Sequence, residues 1–275
     1  MMKLTKGNFF GNHYQKVIYN GICITDTEYI HDKVDWHYHE TPYFTYILQG
    51  EVYEENKKEG YYLSPGDLVF HNWQDAHFNT KPPKYTRGFH IEISPDWFEN
   101  NHLPFEKNQG SIHILNPLVK QFINKIFIES KIQDTESFLS IEMLLSGSLD
   151  FSQEQNNTLH KKPPLWVLQL RDILHSKEIA SLSLNELATL LNIHPVYLSR
   201  KFPQYFNSTI GNYIRTQKVN KALILIAQNK LSMTEICYEC GFFDQSHFIN
   251  SFKRIYQQSP LKISKIIQKV NNLQF

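Results

Sequence analysis

The chain has 275 residues, long enough for two domains, with a formal net charge of +1 and 41% hydrophobic residues. Three cysteines exclude a disulfide framework, and the longest wholly apolar run, residues 222–227, is too short to span a bilayer. No apolar signal core follows Met1, so a soluble cytoplasmic protein without a membrane partner is expected. The small total hides an asymmetry. Residues 165–275 hold 13 Lys+Arg against 6 Asp+Glu, a net of +7, and the remainder holds 15 against 21, a net of −6. A basic tail points to a polyanionic partner.

Residues 1–115 read as β structure, because short runs of Tyr, Phe, Ile and Val are punctuated by Gly21, Gly50, Gly60, Gly66 and Pro82-Pro83. The pattern predicts strands over 17–24, 43–53, 61–73 and 87–93. The segment Tyr43-Phe-Thr-Tyr-Ile-Leu is apolar on both faces and should be covered on both sides. From 116 to 150 the period becomes helical. Leu118, Phe122, Ile126 and Phe127 mark one helix, and Phe138, Ile141, Leu144 and Leu145 another. The pair either pads the β domain or packs against its copy in a homodimer. Residues 151–164 are polar and end in Pro163-Pro164, the composition of a linker.

Residues 165–275 open with a helix over 166–174 and then carry one helical unit twice. Ser183 and Glu186 form a capping box, followed by Leu184, Leu187 and Leu191 at helical spacing. Asn192 marks the turn, Pro195 opens a second helix, and Leu198 and Phe202 share its buried face. In the second copy Ser232 and Glu235 form the box, Gly241 makes the turn, Asp244 caps the next helix, and Phe248 and Phe252 are buried. Two helices joined by a tight turn, the second polar outside, describe a helix-turn-helix. A helix over 211–228, roughly 27 Å long at 1.5 Å per residue, joins the copies through Val219, Ala222, Leu223 and Ile226.

The segment 215–264, with Ala222, Ile236, Gly241-Phe242, Asp244, Ser246, Phe248, Phe252-Lys253-Arg254 and Ser259-Pro260, resembles the DNA-binding domain of AraC/XylS-type transcription regulators. Leu187-Ala188, Tyr197-Leu198-Ser199-Arg200, Phe202 and Tyr213 extend the likeness over about the last 110 residues. It implies seven helices and two recognition helices set in successive major grooves of double-stranded DNA. Val196, Ser199 and Arg200 align with base-contacting positions of the first, and Gln245, His247, Ile249 and Asn250 stand outward on the second. Arg200 either bonds guanine or holds a phosphate; Gln245 and Asn250 suit adenine, and Ile249 a thymine methyl. Lys201, Lys253 and Arg254 are expected on phosphates. Departures from the family pattern are Asn207 and Gln257 where glycine is frequent, Ile210 where Pro is usual, and Lys218 and Asn250 where Arg is frequent. Cys237 and Cys240 lie one helical turn apart with no second ligand pair, and read as small core residues rather than a metal site.

Trp36-His37-Tyr38-His39, Gly50, Gly60, Pro65-Gly66-Asp67 and His77 are similar to the cupin-type sensor barrel fused to many such regulators. In a strand His37 and His39 share a face, so with His77 they offer three imidazoles to a divalent metal, but Tyr43 and Phe44 stand where metal-binding cupins carry an acid. The expectation is therefore no metal and no cofactor. The pocket is expected to bind a small effector, a sugar or small aromatic compound, through Trp36, His37, His39, Tyr46, His77 and Arg87, with Phe70, Trp73 and Phe89 as further walls. No Gly-rich phosphate loop, Gly-x-Ser-x-Gly elbow or paired-carboxylate motif occurs. The whole reads as an α+β multidomain protein, a cupin-like barrel with a helical pair before an all-α tandem helix-turn-helix domain. The resemblance implies a ligand-responsive regulator rather than an enzyme, expected to be homodimeric and to contact RNA polymerase; a metal-dependent cupin enzyme with a helical appendage is the alternative.

Overall fold

Three of the four expected strands are each split in two by a turn in the computed structural model, which describes residues 1–72, 74–103, 110–158, 163–175 and 183–272; the first split makes a paired hairpin, and the other two carry the chain from one sheet to the other. The 17–24 run divides at Asn20-Gly21, both at positive φ, into β2 (Asn12–Tyr19) and β3 (Ile22–Glu28). The 43–53 run divides at Gly50 (φ 78°) into β5 (Tyr43–Gln49) and β6 (Val52–Asn56). The 61–73 run divides at Gly66 (φ 92°) into β7 (Gly60–Leu63) and β8 (Leu68–His71). Apolar residues continue on either side of each turn and mask it, although Asn-Gly is a strong hairpin signal on its own. The fourth, β10 (Arg87–Ile93), spans the expected residues.

With β1 (Met2–Leu4), β4 (Lys33–His39), β9 (His77–Thr80) and β11 (Ser111–His113), these strands make two sheets, ordered β1-β4-β9-β6-β7 and β11-β8-β5-β10-β3-β2. Tyr43 to Leu48 is buried throughout, as its two-sided apolar pattern requires. Trp97 and Phe98 of α1 (Pro95–Asn100) are buried as well. An alternation of faces follows from the strand period of two. On β5, Tyr43, Thr45 and Ile47 line a cavity between the sheets while Tyr46 is buried on the opposite face.

The described residues pack as two units. The first comprises Met1–Ile114, Ile126–Ser146 and Ser264–Phe275; the second comprises Leu115–Lys125 and Gly147–Ile263. The expected helical pair, α2 (Pro117–Ile132) and α3 (Ser137–Thr158), is therefore not a body of its own, since each helix contributes to both. Helix α3 also runs through most of the segment expected to be a linker. Its last seven residues, 152–158, are polar throughout, so that stretch shows no apolar period.

In the first unit Lys131 of α2 reaches a buried ion cluster. Its Nζ donates to Asp26 Oδ2 and to Gln15 Oε1 (2.7 Å), and the Arg87 guanidinium donates to both Asp26 oxygens at 2.6 Å. Burial pushes the Asp26 carboxyl up, but Lys131 and Arg87 outweigh it and hold it down to about 2. Phe127 packs edge-on against Phe89 at 5.1 Å.

The second unit contains the repeated motif: α4 (Leu165–His175), α5 (Leu184–Leu190), α6 (Pro195–Phe206), α7 (Ile210–Gln228), α8 (Met233–Glu239), α9 (Gln245–Tyr256) and the start of α10 (Pro260–Asn272). Both capping boxes form, Ser183 with Glu186 and Ser232 with Glu235. Both turns use a left-handed residue, Asn192 (φ 52°) and Gly241 (φ 70°). Pro195 begins α6, and Asp244 caps α9 by accepting from the His247 amide at 2.7 Å. Leu198, Phe202, Phe248 and Phe252 are each at most 1% exposed. Cys237 and Cys240 are buried free thiols, in keeping with core packing.

Candidate functional site

Two sites emerge, one in each unit. In the helical unit, the periodicity that buries Leu198 and Phe202 of α6 leaves Val196, Ser199 and Arg200 exposed. The same rule applied to α9 buries Phe248 and Phe252 and exposes Gln245, His247 and Asn250; Ile249 is half-buried rather than fully outward. Lys253 and Arg254 are exposed in the last turn of α9, and half-buried Lys201 donates to Gln204 Oε1 at 3.3 Å. Gln245 Nε2 donates to Thr234 Oγ1 at 2.7 Å, which ties the start of α9 to α8. Phe243, in the turn before α9, is 90% exposed, an apolar ring at the polar end of the second reader that helical periodicity gave no reason to single out.

In the β unit, the cavity between the sheets has about 580 Å³ of space counting its open mouth. Of the expected effector residues, His37, His39 and His77 line it. Trp36 is 40% exposed and packs edge-on against Phe78, since neighbours on a strand face opposite ways. Tyr46, Phe70 and Phe89 are outside the cavity wall, and Arg87 is committed to Asp26. Trp73 lies outside the described residues. The wall instead includes Phe9, Phe10, Tyr29, Tyr43, Glu54 and His90. Phe9 stacks on His90 at 3.7 Å, with the rings 14° from parallel.

The polar floor is held from behind. His37 Nδ1 lies 2.9 Å from the Asp35 carbonyl and His77 Nδ1 lies 2.8 Å from the Asp75 carbonyl. A carbonyl only accepts, so both Nδ1 atoms carry the hydrogen and Nε2 remains the ligand atom. His39 Nδ1 faces Glu92 Oε1 at 3.2 Å. Ligand atoms of His37, His39 and His77 lie within 4.8 Å of one another, and so do those of Glu54, His71 and His77. Burial drives the His37 imidazole down to about 4 and keeps His39 well below the usual range. Glu54 is opposed by burial, but the neighbouring imidazoles His71 and His77 and donors from Tyr61 (2.6 Å) and Asn79 (2.8 Å) hold it below the ordinary carboxylate range. Three imidazoles oriented by oxygen acceptors are a donor set that fits a divalent transition metal, even though Tyr43 stands in place of an acid.

Glu54 was legible as an inward residue once β6 was separated from β5, because it shares strand parity with Val52 of the cavity wall; His90 lines the cavity without another residue of β10 beside it to mark its face. Phe9 and Phe10 precede β2 and carry no periodic signal.

Residues 187–265 match the family model described as a helix-turn-helix domain. Over 115 residues the chain is 34% identical to the Msm operon regulatory protein of Streptococcus mutans, a match covering 42% of this chain and 40% of that relative. Over 243 residues it is 24% identical to the HTH-type transcriptional regulator YbfI of Bacillus subtilis, covering 85% of this chain and 88% of the relative. It is also 24% identical over 251 residues to the HTH-type transcriptional activator RhaS of an Enterobacter strain, covering 82% and 86% respectively. No helix among the described residues is long and apolar enough to cross a membrane.

Proposed function

We propose that this chain, a transcription regulator with an AraC-type DNA-binding domain, reads duplex DNA with α6 and α9 together and responds to a small molecule in its barrel. What supports the DNA reading is the repeated geometry: each recognition helix is capped at its start, anchored by a pair of fully buried residues at matching positions, Leu198 and Phe202 or Phe248 and Phe252, and mostly polar on its open face. Arg200 would bond guanine, Gln245 and Asn250 adenine, with Val196, Ser199, His247 and the accessible part of Ile249 completing the two surfaces. Lys201, Lys253 and Arg254 would neutralise phosphates.

The sensing half of the proposal rests on the cavity. Its aromatic wall, Phe9, Phe10 and Tyr29, beside imidazoles and Lys81, suits a compact ligand with a flat face and polar edges, a sugar or small aromatic compound. Such a ligand alters DNA binding only if it prefers one conformation over another. The test is selection of duplexes from a random pool by full-length protein, repeated with a library of sugars and aromatic acids. A selected sequence whose affinity changes with a compound that also raises the melting temperature supports both halves. A homodimer reading paired sites and contacting RNA polymerase is part of the same proposal.

A second reading concerns the cavity alone. The tethered Nδ1 atoms of His37, His39 and His77 favour a divalent cation as its occupant. Equilibrium dialysis against Zn²⁺, Ni²⁺ or Co²⁺, with His37→Ala as control, separates this reading from an organic effector.

A further inference from the structure

The second unit buries three polar side chains that hydrogen-bond to one another. Asn124 of α2 is 0% exposed, Asn220 of α7 5% and Tyr256 of α9 6%. Asn124 Nδ2 donates to Asn220 Oδ1 (3.1 Å) and to Tyr256 Oη (2.9 Å), and Tyr256 Oη donates to the same Asn220 oxygen (2.9 Å). Asn220 Nδ2 donates to the Pro117 carbonyl at 2.8 Å. The triangle therefore joins three helices, with sequence separations of 96, 132 and 36 residues.

Burying amides and a phenol costs free energy that their mutual bonds recover only when all three are in place. Apolar side chains of similar size would fill the same space without that condition. What the polar set adds is direction: its bonds need the observed placement of α2 against α7 and α9, which leaves Asn124 Oδ1 as the buried polar atom of the set without a partner. Its position in the motif matters. Tyr256 is the last residue of α9, the end away from the exposed Gln245 and His247. Asn220 stands within α7, the helix that separates the two helix-turn-helix units.

Among the described residues the first unit of the repeat shows no such triangle. Phe206, the counterpart of Tyr256, stacks on Phe202 at 4.3 Å and meets Tyr213 edge-on at 5.6 Å. The end of α6 is thus held by ring packing from its own neighbourhood. The end of α9 has the matching ring contact, Phe252 with Tyr256 at 4.9 Å, and in addition a hydrogen bond from Asn124, which lies outside the matched domain, 187–265.

We propose that Asn124 is a positioning residue for the second recognition helix: through Tyr256 and Asn220 it sets the orientation of α9, so one of the two half-sites is read under the control of α2. Farther along the same helix Lys131 is fixed to Asp26, so α2 is tied by polar contacts in each unit. The inference rests on the DNA-reading function proposed above.

The experiment uses full-length protein and duplexes selected by the wild type, in three forms: intact, with the α6 half-site scrambled, and with the α9 half-site scrambled. Asn124→Leu is expected to weaken binding of the intact duplex about tenfold, to do so again on the α6-scrambled duplex, and to have no effect on the α9-scrambled one. Tyr256→Phe, which removes one hydroxyl, should show the same pattern and decides the matter if Asn124→Leu fails to fold. A general loss of packing would lower all three affinities alike. Equal penalties on the three duplexes, or no penalty on any, would overturn the proposal. A wild-type protein that selects no sequence at all would instead overturn the function on which it rests.

Discussion

His39 Nδ1 lies 3.2 Å from Glu92 Oε1, with both side chains withdrawn from solvent. Burial pushes Glu92 up to about 7, and burial lowers His37 and His71 to about 4 and His90 to about 3, with His39 well below its usual value. These shifts pull stability in opposite directions. A histidine lowered in the folded state binds fewer protons than in the unfolded chain, so its contribution rises with pH from about 4 to its ordinary 6.5. Glu92 keeps its proton longer when folded, so its contribution falls as pH rises from 4.5 to about 7. His37, His71, His90 and Glu92 are each worth on the order of 3 kcal/mol, and the histidines outnumber the glutamate. Thermal melting should therefore move upward between pH 4 and 6.5, and Glu92→Gln should steepen that rise. A flat profile would contradict the buried, uncharged imidazoles.

The ion cluster at Asp26 gives an ordering of variants. Asp26 balances two buried cations, so Asp26→Asn strands both, whereas Lys131→Met leaves the Asp26–Arg87 pair intact. Removing the shared anion should cost roughly 3 to 5 kcal/mol in denaturant unfolding, and removing Lys131 clearly less. The reverse order would show that Lys131, not Arg87, is the main partner.

On the DNA side, Arg200→Ala and Asn250→Ala should each weaken binding of the selected sequence by ~1 to 3 kcal/mol while sparing unrelated DNA. Lys253→Ala should weaken both alike and lower the slope of affinity against salt by about one. Titrations at several salt concentrations distinguish the two classes.

Gln257 closes α9 at φ 58°, in the left-handed region. A side chain there costs roughly 1 kcal/mol relative to glycine. Gln257→Gly should stabilise the helical unit by that order in a chemical melt, where Asn207→Gly at the matching end of α6 gains less because asparagine tolerates the conformation better.

The helical unit was legible in the sequence because its signals are local. Capping boxes, a Pro at N1 and paired buried residues at i and i+4 fixed helix starts and faces without knowledge of any distant partner. The β unit was legible only in outline. Its cavity depends on which strand face turns inward, and an undivided 43–53 run gave no way to place Tyr43 and Glu54 on the same wall. Trp36 and His37 could not both face one cavity, a constraint present in the strand period itself. The Asn124–Asn220–Tyr256 triangle left no local trace, since it depends on three helices meeting. Polar residues within an amphipathic helix read as surface until their partners are known.

The account depends most on α6 and α9 acting as one reader. Hydroxyl-radical footprinting of full-length protein on a duplex it has selected tests this directly. Two protected clusters on one face of the DNA, about one helical turn or 10 base pairs apart, are the expected result. A single protected cluster, or two on opposite faces, would contradict it.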